Sequence, residues 1–473
     1  MAGTRAGGLL LIVVLASGCA VPRVTREDET RRFAQEMQRR AAASAIDAAR
    51  PLSLDQCQRL ALENSLDLQV RQLALRLSDQ QVRLALAGGL PKASLRYDES
   101  MRSNNANVQL GNETAAFEDR HQQRLAVGVV APVLDFGLTY YSYQIAQDQR
   151  RQERLLLERA RQLLWRDVAV AYARHGGALR QERLARMAVE AARQVLKVAR
   201  NLEREQMTVA ADTSLIEAAL AQAQLELSLA VQRIAETNLQ LGQLMSLPPG
   251  TRFSIDPALS QRPLPTTRQV DQFAQCALRH RPELLVQDLQ RQISASAVRR
   301  EASAFFPRLD GSLSYNWSNN SFVVNPSFFQ LGYSLAHSLL DGGATIWRYK
   351  LARGTATVEE SRSMLIALGV VYELELRHLR LQQAYDTVVA ARVLETSRRQ
   401  ALTRIVSLYN EGLEGEAATA RSLADLTVQA TVLDRAQTDY EVAWYELEAA
   451  AVCPGWPATA PATQTSTQPA SQP

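Results

Sequence analysis

The sequence has few of the residues that recognise nucleic acids. Its only lysines are Lys92, Lys197 and Lys350, so its 53 basic residues are almost all arginines. These arginines are interleaved with 49 acidic residues. This pattern is typical of solvated, ion-paired helix faces and not of a phosphate-binding stripe. The sequence therefore argues against nucleic-acid binding.

The sequence also lacks the local motifs of catalysis. It has neither GxxxxGK[ST], which would cradle a nucleotide phosphate, nor GxSxG, HExxH or a Cys–His arrangement. The few histidines form no close pair: His121, His175, His280, His337 and His378. The sequence predicts no enzyme, no cofactor and no metal site.

Long apolar runs are absent beyond the N-terminus, where "LLLIVVLA" follows Arg5 and "ASGC" leads into Cys19. This arrangement resembles a bacterial lipoprotein signal, whose cysteine is diacylated and becomes the mature N-terminus. Residue 16 departs from the pattern, since it is Ala where such signals favour Leu. Cys19 is the predicted lipid anchor, and Ala20, in place of Asp, favours the outer membrane. The other interpretation is an ordinary signal peptide with a chance cysteine.

Three further cysteines remain: Cys57, Cys276 and Cys453. Cys57 and Cys276 lie in helical patterns and are predicted to be buried as small apolar residues. In an oxidising compartment a disulfide is the alternative.

The most informative feature is an internal repeat. "PVLDFGLTYYSYQIA" begins at Pro132, and "SLLDGGATIWRYKLA" begins at Ser338. The similarity extends outwards through "LALENSLDLQ" and "CALRHRPELL". The first copy has about ten extra residues in an Asn-rich stretch, where a loop would tolerate them. The chain is predicted to be duplicated.

Each copy has the same order of predicted elements. An amphipathic helix, "LSLDQCQRLALENSLDLQVRQLALRLSDQQVRLALA" in copy one, ends at Pro91 or Pro307, because proline cannot continue a helix. Two stretches with period-two alternation follow and predict strands with one apolar and one polar face. The strand pairs are predicted within residues 92–134 and 308–340.

A Leu-Asp-x-Gly motif closes each strand pair. Asp135 and Asp341 suit helix N-caps, where a carboxylate accepts from free amides. Gly137 and Gly343 permit a sharp change of direction. The motif is short, but its recurrence at the same place in both copies makes it specific.

A long helical tract and a return tract follow each motif, with apolar residues at spacings of three and four. Helices this long and thin must pack side by side, as in coiled-coil hairpins. The predicted divisions are the signal (1–18), an anchor segment (19–50), repeat 1 (51–247), a linker (248–269), repeat 2 (270–452) and a Pro/Thr/Ser-rich tail predicted to be disordered (453–473).

This order of elements resembles the TolC family of outer-membrane efflux proteins, over roughly residues 50 to 452. The resemblance implies a mainly α chain, internally duplicated, whose coiled-coil hairpins form a periplasmic α-barrel. It also implies a homotrimer with a transmembrane β-barrel of twelve strands, four from each protomer. The function implied is a passive exit duct for efflux or type I secretion. The implied partners are a periplasmic adaptor, an inner-membrane transporter and outer-membrane lipid.

In this family the hairpin tips close the tunnel and meet the adaptor. Tip two fits the family pattern with Gly412 and Leu413, between Tyr409 and Gly415. Tip one departs from it, because it has no glycine and leaves its turn to Met207, Thr208 and Val209. Charges past tip two make a gate of ion pairs the hypothesis, with Arg421 and Asp425 as candidates; a solvated helix face is the alternative.

A second class of function uses the same helices. A lipid-anchored periplasmic coiled-coil scaffold would fold its strands as a soluble sheet and never span the membrane. The apolar strand faces distinguish the two hypotheses. Leu331→Arg or Val127→Asp would only damage the core of a scaffold, but would stop the membrane assembly of a barrel.

Overall fold

The computed structural model describes residues 25–43, 50–110, 113–204, 210–259, 262–338 and 341–453. In chain order the first half contains α1 (Arg26–Ala43), α2 (Leu54–Asn64), α3 (Leu66–Ala87), β1 (Lys92–Met101), β2 (Ala106–Leu110), β3 (Glu113–Glu118), β4 (His121–Leu134), α4 (Leu138–Arg204) and α5 (Ala210–Leu244). The second half contains α6 (Thr267–His280), α7 (Pro282–Ser303), β5 (Arg308–Ser318), β6 (Ser327–Ala336), α8 (Ala344–Asn410) and α9 (Glu416–Ala451).

The first predicted helix is two helices, α2 and α3, which meet at Ser65. Ser65 has extended backbone angles, and its hydroxyl accepts from the amide of Leu68 at 3.3 Å. In the second half, Arg281 separates α6 from α7 with φ −64° and ψ 125°. Pro282 follows it and disfavours helical geometry at the preceding residue. The prediction of one helix was therefore wrong, because a capping serine and a proline interrupt the apolar pattern.

The long helices are the framework of the molecule. Helices α4 and α8 have 67 residues each and return through α5 and α9, of 35 and 36 residues. Helix α4 packs against α5, α7 and α9, and α8 packs against α7 and α9. Within the described ranges, none of the helices has the length and apolarity to cross a lipid bilayer.

Small residues let α4 pass close to α9. A Cβ atom on Gly177 would lie 2.6 Å from the hydroxyl of Thr438, so the glycine is required by this approach. Buried apolar side chains continue the contact on either side, among them Ala169, Val170, Ala173, Val442 and Tyr445. The two halves therefore share a core along these helices.

The linker packs against the start of the first half. Leu52 and Ile255 form a parallel β-bridge, and the Tyr172 hydroxyl donates to the carbonyls of Leu52 and Asp256, at 3.1 Å each. A buried cluster lies beneath, which includes Cys57, Ala61, Val168, Leu241, Met245 and Phe253.

Two of the cysteines form a disulfide. Cys276 of α6 is bonded to Cys453, which follows α9, and their Cα atoms lie 5.2 Å apart. The sequence left this pairing open. Cys57 is a free thiol that is fully buried, as its helical pattern predicted, and burial raises its pKa to about 12.

The four long strands form one antiparallel sheet in the order β1-β4-β5-β6. The central pair joins the two halves, with Val127 of β4 opposite Tyr315 of β5. The extra residues of the first half were predicted to be a loop, but they contain a second hairpin, β2–β3. β-Forming side chains such as Val108 and Phe117 favour this pairing over a loop.

Candidate functional site

The first strand-to-helix turn is held by Asp135. One carboxylate oxygen accepts from the Gly137 amide at 3.1 Å, and the other accepts from the Thr139 amide at 2.9 Å. Gly137 has φ +93°, and a Cβ there would lie 3.0 Å from the Tyr141 ring. Asp135 lies two residues before Gly137, the residue that directly precedes α4. Its carboxylate therefore accepts from free amides at the start of the helix, but from outside the N-cap position itself.

The second turn repeats this geometry. Asp341 accepts from the Gly343 amide at 3.0 Å, the Thr345 amide at 2.8 Å and the Thr345 hydroxyl at 2.6 Å. Gly343 has φ +83°. The Thr345 hydroxyl, and then its amide, hold the pKa of Asp341 below its ordinary value. Both Leu-Asp-x-Gly motifs therefore have the same structural role, which is to start a long helix at a sharp turn.

Phe136 connects the first strand-to-helix turn with residues of the second half of the chain. Its backbone has φ +51°, which is strained for a side chain with a Cβ. Its ring stacks on Phe306 at a centroid distance of 4.8 Å, and its carbonyl accepts from the Ser303 hydroxyl at 2.9 Å. These contacts at the end of α7 hold the unusual conformation in place.

Pro91 and Pro307 stand directly before β1 and β5. The first of these helices ends at Ala87, the last residue of the predicted helical stretch, and the second ends at Ser303; a short turn separates each from its proline. The fixed φ of proline suits the entry to a strand, where no ladder hydrogen bond is yet required.

The sheet has one apolar face, which is exposed. Leu95 lies opposite Val127, and Leu313 lies between Val129 and Leu331. Leu331 is 68% exposed and Phe329 is 77% exposed. A large exposed apolar patch indicates contact with a membrane or a partner.

The opposite face is polar. One row across the sheet is Ser94, Gly128, Ser314 and Gln330. Charged side chains of the strands lie on this face and form ion pairs: Arg96 with Asp98 at 3.1 Å and Arg308 with Asp310 at 2.8 Å. Arg124 of β4 pairs with Glu118 of the neighbouring β3 at 2.9 Å, and Arg102, which follows β1, pairs with the same Glu118 at 3.2 Å.

The tip of the second hairpin is a tight turn between α8 and α9. Gly412 has φ +75°, and its amide donates to the Tyr409 carbonyl at 3.0 Å. The Leu413 amide donates to the Leu408 carbonyl at 2.9 Å, which closes the end of α8. Leu413 is 70% exposed, so this tip presents an apolar side chain to solvent.

The candidate gate charges lie further along α9. Asp425 faces Arg398 of α8, at 3.7 Å between Oδ2 and Nη1, and both side chains are more than half exposed. Arg421 is also exposed. The structure thus places Asp425 against Arg398 and does not bring Arg421 to it, although the two are four residues apart. Cys19 and the tip-one residues Met207, Thr208 and Val209 lie outside the described residues.

No sequence pattern predicted a polar contact between the halves. Arg180 of α4 forms an ion pair with the buried Asp434 of α9 and donates to the Thr438 hydroxyl at 2.9 Å. These residues are separated by more than 250 positions, so no local pattern could reveal them. In the described part of the chain, no three His, Cys, Asp or Glu side chains are grouped as metal ligands would be.

Part of the chain is similar in sequence to a known protein family. Residues 58–246 match the model of a family described as outer membrane efflux protein. No curated protein sequence matches the chain.

Solved structures match most of the chain at low identity. A membrane protein from Pseudomonas aeruginosa is 17% identical with a TM-score of 0.71, over 85% of this chain and 90% of that one. The CmeC outer membrane channel of Campylobacter jejuni is 13% identical with a TM-score of 0.71, over 84% and 85%. The open MtrE outer membrane channel of Neisseria gonorrhoeae is 15% identical with a TM-score of 0.70, over 85% and 89%. These likenesses show a shared fold. The resemblance found in the sequence is therefore confirmed: residues 58–246 match the outer membrane efflux protein family, and the described chain has the fold of these outer-membrane channels.

Proposed function

We propose that the protein is the outer-membrane exit duct of a tripartite efflux or type I secretion system. It spans the outer membrane with its sheet and reaches into the periplasm with its helical hairpins. It conducts passively, and the sequence holds no nucleotide-binding motif that would supply energy. A periplasmic adaptor and an inner-membrane transporter complete the system.

The single observation that carries this proposal is the two-faced sheet at one end of the long helices. Its apolar face is exposed along the strands, which suits contact with lipid chains. Among the described strands, β1 and β6 each have one neighbour in this sheet, so both outer edges can pair. Four strands are too few to close, and three chains would form a closed barrel of twelve.

The helices support the same assembly. Helix α8 carries an exposed apolar series, which includes Leu351, Met364, Leu365, Leu368 and Tyr372. A coiled-coil helix exposes such a face when a neighbouring chain covers it. In a homotrimer these faces and the strand edges would be covered together, and the internal duplication would give a periplasmic α-barrel of similar repeated hairpins.

The remaining assignments complete the proposal. Cys19 carries the lipid that anchors the mature chain. Gly412 and Leu413 at tip two, with Met207 to Val209 at tip one, meet the adaptor. Arg421 and Asp425 belong to a gate near the tips, where Asp425 engages Arg398.

The test is the mass of the detergent-extracted protein together with single-channel conductance in a planar bilayer. We expect a trimer with discrete conductance steps. Leu331→Arg places a charge on the apolar face and should abolish membrane assembly while the helices remain folded by circular dichroism.

Gln330→Arg is the matched control, because it puts the same charge on the neighbouring residue of the polar face. It should assemble and conduct. A monomer without conductance, or equal tolerance of both substitutions, would contradict the duct and favour a periplasmic scaffold.

A further inference from the structure

The polar face of the sheet has more basic than acidic side chains. Within the four strands its charged residues are the basic Lys92, Arg96, Arg124 and Arg308 and the acidic Asp98 and Asp310. Glu118 of β3 adds to them through its ion pair with Arg124, and Arg102, which follows β1, through its ion pair with Glu118. The five basic groups and three acidic groups together leave an excess of two positive charges in each chain.

The excess can be assigned to particular residues. Lys92 has only uncharged cross-strand neighbours, Val130 and then Ser312 and Gly332. Glu118 is shared by two guanidinium groups, those of Arg102 and Arg124, so one of the two is not neutralised. The other charges form one-to-one pairs, which contribute dipoles and no net charge.

The uncharged residues of this face are also suited to anions. Ser94, Ser312, Ser314, Asn316 and Gln330 carry hydroxyl or amide groups that can donate hydrogen bonds. On the apolar face, in contrast, Glu99 is bonded to His121 at 2.6 Å, away from the polar side.

We propose that the strand-lined part of the duct favours anionic over cationic solutes, so that its cargo passes the outer membrane as an anion or with anionic groups leading. The proposal rests on the duct function, in which the polar face surrounds the lumen. Charges of one sign around a narrow, low-dielectric channel raise the local concentration of ions of the opposite sign. Three chains would put six excess positive charges around one passage.

The test is the reversal potential of single channels in a KCl gradient. The wild-type channel should be more permeable to chloride than to potassium at about 0.1 M salt, and less selective near 1 M, where screening acts over about 3 Å. The double variant Lys92→Gln with Arg102→Gln leaves each acidic group with one partner. It should lower the chloride-to-potassium permeability ratio by about twofold or more.

Two matched variants separate lumen charge from other effects. Arg308→Gln with Asp310→Asn removes a pair and leaves the net charge unchanged. Glu99→Gln changes the net charge on the opposite face. Both should keep the wild-type ratio.

Discrete channels that prefer potassium, or a ratio that Lys92→Gln with Arg102→Gln leaves unchanged, would overturn the anion preference and leave the duct standing. A ratio that Glu99→Gln shifts as strongly would also overturn it. Failure of the wild-type protein to conduct would overturn the duct function and this inference with it.

Discussion

At the scale of single residues, the two Leu-Asp-x-Gly motifs show how a short sequence sets a large structure. Each carboxylate accepts from amides that no helical carbonyl can reach, and each glycine takes a left-handed conformation. Between Asp135 and Gly137 the middle residue also has a positive φ, although it is Phe136. The ring stack on Phe306 stabilises this strained backbone conformation.

The lowered pKa of Asp341 leads to a prediction about pH. Its hydrogen bonds favour the ionised form, so its contribution to stability is present above the pKa of the unfolded chain, about 3.9, and is lost as the pH falls through the folded pKa. Asp341→Ala should therefore melt at a lower temperature than the wild type at pH 7. The difference should shrink as the pH falls below about 3.9, as measured by circular dichroism in detergent. A difference that stays constant down to pH 3 would mean that the charge of Asp341 has no part in the turn.

Part of this site could be predicted from the sequence, and part could not. The motif residues could be found because they lie within a few positions of one another and recur. The gate hypothesis named Arg421 and Asp425 as candidates without naming their partners, and the side chain that Asp425 meets, Arg398, lies on another helix. Helical spacing identifies residues on one face, but it cannot identify the helix that packs opposite.

At the scale of elements, the disulfide fastens a short helix to the end of a long one. Cys276 and Cys453 are separated by 177 positions, and the bond holds α6 against the C-terminal end of α9. The apolar contacts around it include Phe273, Leu374 and Trp444. Helix α6 begins the second half, so the bond joins its first and last helices.

Reduction of this bond should destabilise the protein. Disulfides that close long loops typically contribute about 2–4 kcal/mol, so dithiothreitol should lower the melting temperature of the wild type. The double variant Cys276→Ser with Cys453→Ser should melt at the lower temperature with or without reductant. Cys57→Ala is the control for a thiol outside the bond and should keep the response to reductant. An unchanged melting temperature after complete reduction would show that packing alone holds α6.

The elements were predicted most accurately where a pattern was long. The long helices and the strand pairs have strong periodicity, and the structure has helices and strands there. The break at Ser65 and the hairpin β2–β3 were missed, because one capping hydroxyl or a short Asn-rich stretch gives a weak local signal. The pairing of Cys276 with Cys453 could not be deduced, since cysteine positions alone do not fix connectivity.

At the scale of the whole molecule, the two halves are joined by a polar contact as well as by apolar packing. Arg180 connects α4 with Asp434 and Thr438 of α9. The Asp434 side chain is 8% exposed, so the ion pair is removed from water. In a buried pair, loss of one partner leaves an uncompensated charge.

Asp434→Ala should therefore cost about 3–5 kcal/mol in the free energy of unfolding, because Arg180, whose side chain is 16% exposed, would be left without its carboxylate. Asp425→Ala is the matched control on the same helix, since its pair with Arg398 is exposed, and it should cost about 0–1 kcal/mol. Denaturant unfolding followed by circular dichroism measures both. Equal costs would contradict a structural role for the buried pair at the joint between the halves.

The matched helix lengths have a consequence for how such a protein can vary. Helices α4 and α8 each have 67 residues, so each works as a spacer of about 100 Å. A heptad added to one of them alone would carry its end about 10 Å past the other and leave an uneven rim. The chain can therefore adapt to a wider or narrower gap between two membranes only by changing both spacers by the same amount.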